Sequence, residues 1–74
     1  MKNNAHVFFP YAVVATQFFS NDSEEKGTKT LRGKVEVEAV VKGNRVFDLY
    51  FTDGSIAYDV PMPAGVMVCA PELN

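Results

Sequence analysis

The sequence predicts an all-β fold, a small antiparallel sheet or barrel of four to five strands. Three observations carry this. From Leu31 to Val41, apolar and charged residues alternate with a period of two. Asp53-Gly54 follows a second alternating run and suits a type I′ hairpin turn, in which both central residues take φ > 0. Pro61 and Pro63 then close a third run, because proline cannot donate to a strand ladder. The alternative is an α+β fold with an N-terminal helix at 10–19 packed on a three- to four-stranded sheet.

The first strand of this meander sets Leu31, Gly33, Val35, Val37, Ala39 and Val41 against Arg32, Lys34, Glu36, Glu38, Val40 and Lys42. A helix would spread those charges around its whole circumference. The second run carries Phe47, Leu49 and Phe51 on one face, with Asp48, Tyr50 and Thr52 on the other. A two-residue loop at Asp53-Gly54 pairs Phe51 with Ile56, Leu49 with Tyr58 and Phe47 with Val60, all on one face. The preceding hairpin is less regular. A two-residue turn at Gly43-Asn44 sets Val41 opposite Val46 and mismatches the faces. One more loop residue brings Val41 to Phe47, Ala39 to Leu49 and Val37 to Phe51. A one-residue slip exchanges the faces of a strand, so either the loop is odd in length or a β-bulge restores the phase.

The flanks are read by composition. Val7–Phe9 and Ala12–Phe19 are rich in β-branched and aromatic residues, which favours strand. A helix starting at Pro10 would instead align Tyr11, Val14, Ala15 and Phe18. Ser20 to Thr30 is polar and aperiodic, and predicts an exposed loop. Val66–Ala70 predicts a closing strand with apolar residues on both faces, either central or pressed against a partner.

The chain's 74 residues and 8.2 kDa suit a single small β domain over 1–74. A domain of this size buries only about 60% of its unfolded surface. Cys69 is the sole cysteine, so no internal disulfide adds stability, and one thiol suits a reducing, cytoplasmic setting. Ala5–Ala15 is mostly apolar after Lys2, but Pro10 interrupts it, which argues against a cleaved leader. No stretch reaches the ~20 apolar residues of a membrane-spanning helix. The net charge of −2 opposes the basic excess common in nucleic-acid binders.

The chemistry-bearing residues are few. Asp48 and Asp59 fall opposite each other in the second hairpin. With Tyr50 they form a candidate ligand or charge patch, and solvated carboxylates are the ordinary alternative. Two carboxylates are too few for a metal site, so no metal or other cofactor is expected. Glu36 and Glu38 could extend them into an acidic stripe, while Lys26, Lys29, Arg32 and Lys34 cluster at the other end of that strand. His6 has no nucleophile near it in sequence. Cys69 lies in the apolar run Val-Met-Val-Cys-Ala, which suggests a buried, inert thiol. Gly33-Lys34 and Gly43-Asn44-Arg45 are not phosphate loops, since no helix follows them.

Phe8, Phe9, Phe18 and Phe19 come as adjacent pairs, and strand geometry sends one of each pair away from the core. That apolar surplus points to a non-catalytic protein–protein binding or assembly module. Such a module would be a homo-oligomer or a small subunit or inhibitor of a larger protein, with Phe8, Phe18 and Met67 as interface residues. The chain is not read as an enzyme. One rival is a small nucleic-acid-binding barrel using surface aromatics and the basic cluster. Another is a small-molecule binder with a pocket between protomers, lined by Tyr50, Tyr58, Asp48 and Asp59.

Overall fold

A computed structural model describes residues 5–22 and 24–71. It contains one antiparallel six-stranded sheet, and no helix among the described residues. The strands are β1 (His6–Phe19), β2 (Gly27–Glu36), β3 (Ala39–Lys42), β4 (Val46–Tyr50), β5 (Ile56–Pro61) and β6 (Met67–Cys69). Their order is β2-β1-β5-β4-β3, with β6 paired to β1 off that path. The sheet curls but does not close into a barrel. Where the curl brings its ends near each other, Val40 N–H donates to Pro71 C=O at 2.9 Å.

β1 organises the sheet, so the helical alternative at 10–19 is excluded. Its 14 residues pair with β2 along one side. On the other side His6–Phe8 meet β6, and Gln17–Phe19 meet β5. Pro10 lies inside the strand at a register shift between Phe9 and Val13, a bulge where the missing N–H is tolerated. Two extra residues on β1 keep Val7, Phe9, Val13 and Ala15 all facing inward. A second shift, between Ala15 and Phe18, reverses the phase. It brings Phe18 against the core, edge-on to Phe51 at 6.0 Å, while Phe19 meets the Tyr58 ring at 5.8 Å.

The strand expected over Leu31–Val41 is two strands joined by a corner. Val37 N–H still donates to Ala5 C=O at 3.2 Å, but Glu38 N–H turns to Tyr50 C=O at 2.6 Å. The chain thus leaves β1 and joins β4 within two residues. The corner also resets the alternation, since Ala39 and Val40 are both buried. Val40, not the expected Ala39, then faces Leu49 across the β3–β4 pair, and Lys42, not Val41, faces Phe47. The turn is Asn44-Arg45, with Gly43 N–H donating to Val46 C=O at 2.8 Å and Arg45 at φ 65°. Neither register expected from the sequence is adopted, because the phase is repaired at Val37-Glu38 and not at the turn.

The β4–β5 hairpin corrects a second register. Its loop is the three residues Thr52-Asp53-Gly54, with Gly54 N–H donating to Phe51 C=O at 3.2 Å and Phe51 N–H to Ser55 C=O at 2.9 Å. Gly54 takes φ 94°, the left-handed residue that follows a type I turn in such loops. Tyr50 therefore pairs with Ile56, and Leu49 with Ala57. Phe51 is buried as expected, but Ile56 and Tyr58 are not its inward companions. A bulge between Phe47 and Leu49 absorbs the extra residue and restores Phe47 opposite Val60. The predicted loop Ser20–Thr30 is also shorter than expected, because Gly27–Thr30 already belong to β2.

The core is one cluster. Phe9, Phe47, Leu31, Leu49, Val40 and Val60, from five strands, are among its largest fully buried side chains, and Phe9 and Phe47 meet at 6.4 Å. Each contributes roughly 1.5–3 kcal/mol by leaving water. Every buried side-chain nitrogen or oxygen among the described residues has a hydrogen-bond partner.

Candidate functional site

The outer face of the three strands β6, β1 and β2 is the most distinctive surface. Two parallel rows of side chains run across it. Register sets Met67 opposite Phe8 and Phe8 opposite Lys34. Two residues along each strand, Cys69 stands opposite His6 and His6 opposite Glu36. Strand geometry places both rows on one face, with directly opposed Cβ atoms about 4.5–5.5 Å apart.

The first row is apolar and open. Phe8 is 40% exposed and Met67 is 60% exposed. They lie directly opposite each other in the three-residue β6–β1 pairing. Tyr11 and Val14, further along β1, are 47% and 50% exposed. The Tyr11 hydroxyl donates to Ala64 C=O at 3.0 Å, tying the turn after β5 to the bulge of β1. Phe18 does not share this surface. It packs on the core, with the Lys29 ammonium 5.4 Å from its ring centroid. Of the expected interface residues, Phe8 and Met67 come together and Phe18 stands apart.

The second row was not legible in the sequence. His6 and Cys69 are 63 residues apart in the chain, and only the antiparallel docking of β6 on β1 joins them. The apolar run around Cys69 implied burial, yet the thiol is exposed. Among the described residues β6 pairs only with β1, so alternate residues of an apolar run still reach solvent. A thiol, an imidazole and a carboxylate on adjacent strands are residue types used in nucleophilic chemistry. No group of three or more His, Cys, Asp or Glu side chains among the described residues is arranged to hold a metal.

Asp48 and Asp59 do meet, as the sequence suggested. Asp59 sits in the β5 bulge at φ 53°, and its N–H donates to Asp48 Oδ1 at 2.9 Å. Gln17 Nε2 donates to Asp59 Oδ2 at 3.3 Å. The Asp48 carboxylate thus satisfies a backbone donor that the bulge removes from the ladder. Tyr50 is half-buried two residues along β4, on the same face as Asp48. The expected acidic stripe is divided. Glu36 lies on β2 and the aspartates on β4 and β5, with β1 between them.

Asp53 anchors the hairpin tip. Its Oδ1 accepts from Ser55 N–H at 2.9 Å and from the Ser55 hydroxyl, and its own carbonyl accepts from Asn21 Nδ2 at 2.6 Å. The Ser55 side chain, then the Ser55 backbone amide, hold the Asp53 carboxyl below its ordinary range, with Lys29 adding to this.

Four of the seven basic residues are gathered on one margin. Lys29, Arg32 and Lys34 are exposed on β2, and Lys26 precedes it. No helix long and apolar enough to cross a membrane occurs among the described residues. Compared with family models, with curated proteins and with solved structures, the chain matches none.

Proposed function

We propose that this chain is a non-catalytic protein–protein binding or assembly module that associates with a second copy of itself through the outer face of β6 and β1. The observation that supports this is the flush pair Phe8–Met67, two large apolar side chains left open beside a core that is already filled. A small domain gains little from its own core and often gains the rest by association. A C₂ contact around β6 would place each Met67 and Phe8 against the other copy, shielding both from water. A role as a small subunit or inhibitor of a larger protein would use the same face.

Association that stabilises the folded chain makes its melting temperature depend on concentration. The melting temperature is expected to rise as protein concentration rises through the micromolar range. That rise should vanish in Met67→Lys. A concentration-independent melting temperature in the wild-type chain counts against the proposal.

One observation favours a nucleic-acid reading. Phe8 stands opposite Lys34, an aromatic beside a cation on one exposed face. The net charge of −2 opposes it. A labelled oligothymidylate titrated at low salt separates the readings. Saturable, salt-sensitive binding lost in Phe8→Ala would support nucleic acid.

A further inference from the structure

We infer that the free edge of β2 receives an extended acidic segment of a partner protein as an added antiparallel strand. This rests on the reading of the chain as a protein-binding module but uses a different surface. Among the described residues β2 pairs only with β1, so its other edge presents unpaired backbone donors and acceptors along a ten-residue strand. Such an edge is a template for another strand. At the opposite end of the sheet, β3 has four residues and its Val40 N–H is already bonded to Pro71 C=O. The long open edge is therefore β2.

Charge selects the occupant. Four of the chain's seven basic residues, Lys26, Lys29, Arg32 and Lys34, lie on or just before β2, and no acidic residue interrupts them until Glu36. Two copies of β2 laid edge to edge would bring two runs of cations together. Like charges on neighbouring strands destabilise pairing, and cationic edges are a common guard against self-association. The same cations attract an acidic strand. Carboxylates on its solvent-facing positions would pair with Arg32 and Lys34.

The inner side of the edge asks for apolar residues. Val35 and Gly33 are only half-buried there. Gly33 opposes Phe9, takes φ 70°, and a Cβ built on it would meet nothing within 4 Å. That open space beside the core can take a side chain from an incoming strand. The partner segment is thus an extended stretch alternating acidic and apolar residues.

The test uses a fluorescein-labelled octapeptide of alternating Glu and Val, titrated by anisotropy at low salt with hydrogen exchange followed in parallel. Saturable binding is expected, weakened at high salt, with slowed exchange in residues 27–36. Arg32→Glu with Lys34→Glu should weaken it at least tenfold. A Lys/Val octapeptide should not bind. A Glu/Val peptide N-methylated at every second nitrogen, which cannot complete the ladder, should also fail. These two peptide controls do not depend on any variant folding. Equal binding of the N-methylated peptide would reduce the effect to charge attraction and overturn the inference, as would no binding at all. Oligothymidylate binding that needs Arg32 and Lys34 and excludes the peptide would assign the edge to nucleic acid, and also overturn it. Met67→Lys should bind the peptide as the wild-type chain does. Loss of self-association and loss of this edge activity are therefore separable.

Discussion

The β4–β5 hairpin and the β6–β1 pair are both short antiparallel pairings, and they treat apolar side chains oppositely. In the hairpin, Phe47 and Val60 face each other with no exposed surface. In the β6–β1 pair, Phe8 and Met67 face each other and both remain exposed. The residue types are alike, and so is the pairing geometry. What differs is the layer above. The inner faces of β1, β2 and β3 cover the hairpin, whereas no strand among the described residues covers the outer face of β6. Opposed apolar side chains in a ladder therefore do not by themselves mark a core. The curl of the sheet decides which of its faces is sealed.

The comparison predicts unequal costs for equal truncations. Phe47→Ala should cost about 3–5 kcal/mol in urea unfolding, as lost burial and an unfilled cavity combine. Phe8→Ala should cost under ~1 kcal/mol in the isolated chain, because exposed positions are weakly coupled to the core. Similar losses at both sites would break the distinction between the two pairings.

The hairpin also carries its register in backbone geometry. Gly54 takes φ 94°, and a Cβ there would lie 3.2 Å from Asn21 Cβ. Gly54→Ala should cost about 1–3 kcal/mol, from left-handed strain and that contact. Asp48→Ala removes the acceptor for the Asp59 N–H in the bulge. It should cost about 1 kcal/mol, while Asp48→Asn, which keeps an acceptor, should cost less. Denaturant midpoints of the two variants check the difference.

The smallest effect is with pH. The Asp53 carboxyl is held low in the folded chain, so its contribution is present above its unfolded pKa and fades as pH falls through the folded value. Stability should thus decline toward acid below the ordinary carboxylate range. Asp53→Asn should flatten that part of the profile. An unchanged acid limb in Asp53→Asn would remove Asp53 from the account.

Much of the sheet was legible in the sequence because alternation reports strands directly. Strand rather than helix over Val7–Phe9 and Ala12–Phe19, the inward Phe47, Leu49 and Phe51, and the stop at Pro61 all followed from local pattern. The registers did not, because each depends on one residue. A three-residue loop at Thr52-Asp53-Gly54 and a bulge at Asp59 shift Ile56 and Tyr58 outward and then cancel by Val60. The corner at Val37-Glu38 exchanges Val41 for Val40 in the same way. The outer face divides similarly. Asp48 and Asp59 were found through a hairpin, a short-range relation. Cys69 beside His6 required the docking of one chain end on the other, and no pattern near either residue reports it.

The proposed self-association requires that a second copy cover the exposed Phe8–Met67 pair. Light scattering on the wild-type chain and on Met67→Lys tests it most directly. A dimer or larger species is expected for the wild type at micromolar concentration. A monomer of 8.2 kDa, with an unchanged unfolding midpoint at high dilution, is expected for the variant. A wild-type monomer across that range, or a variant that associates as the wild type does, would contradict the claim.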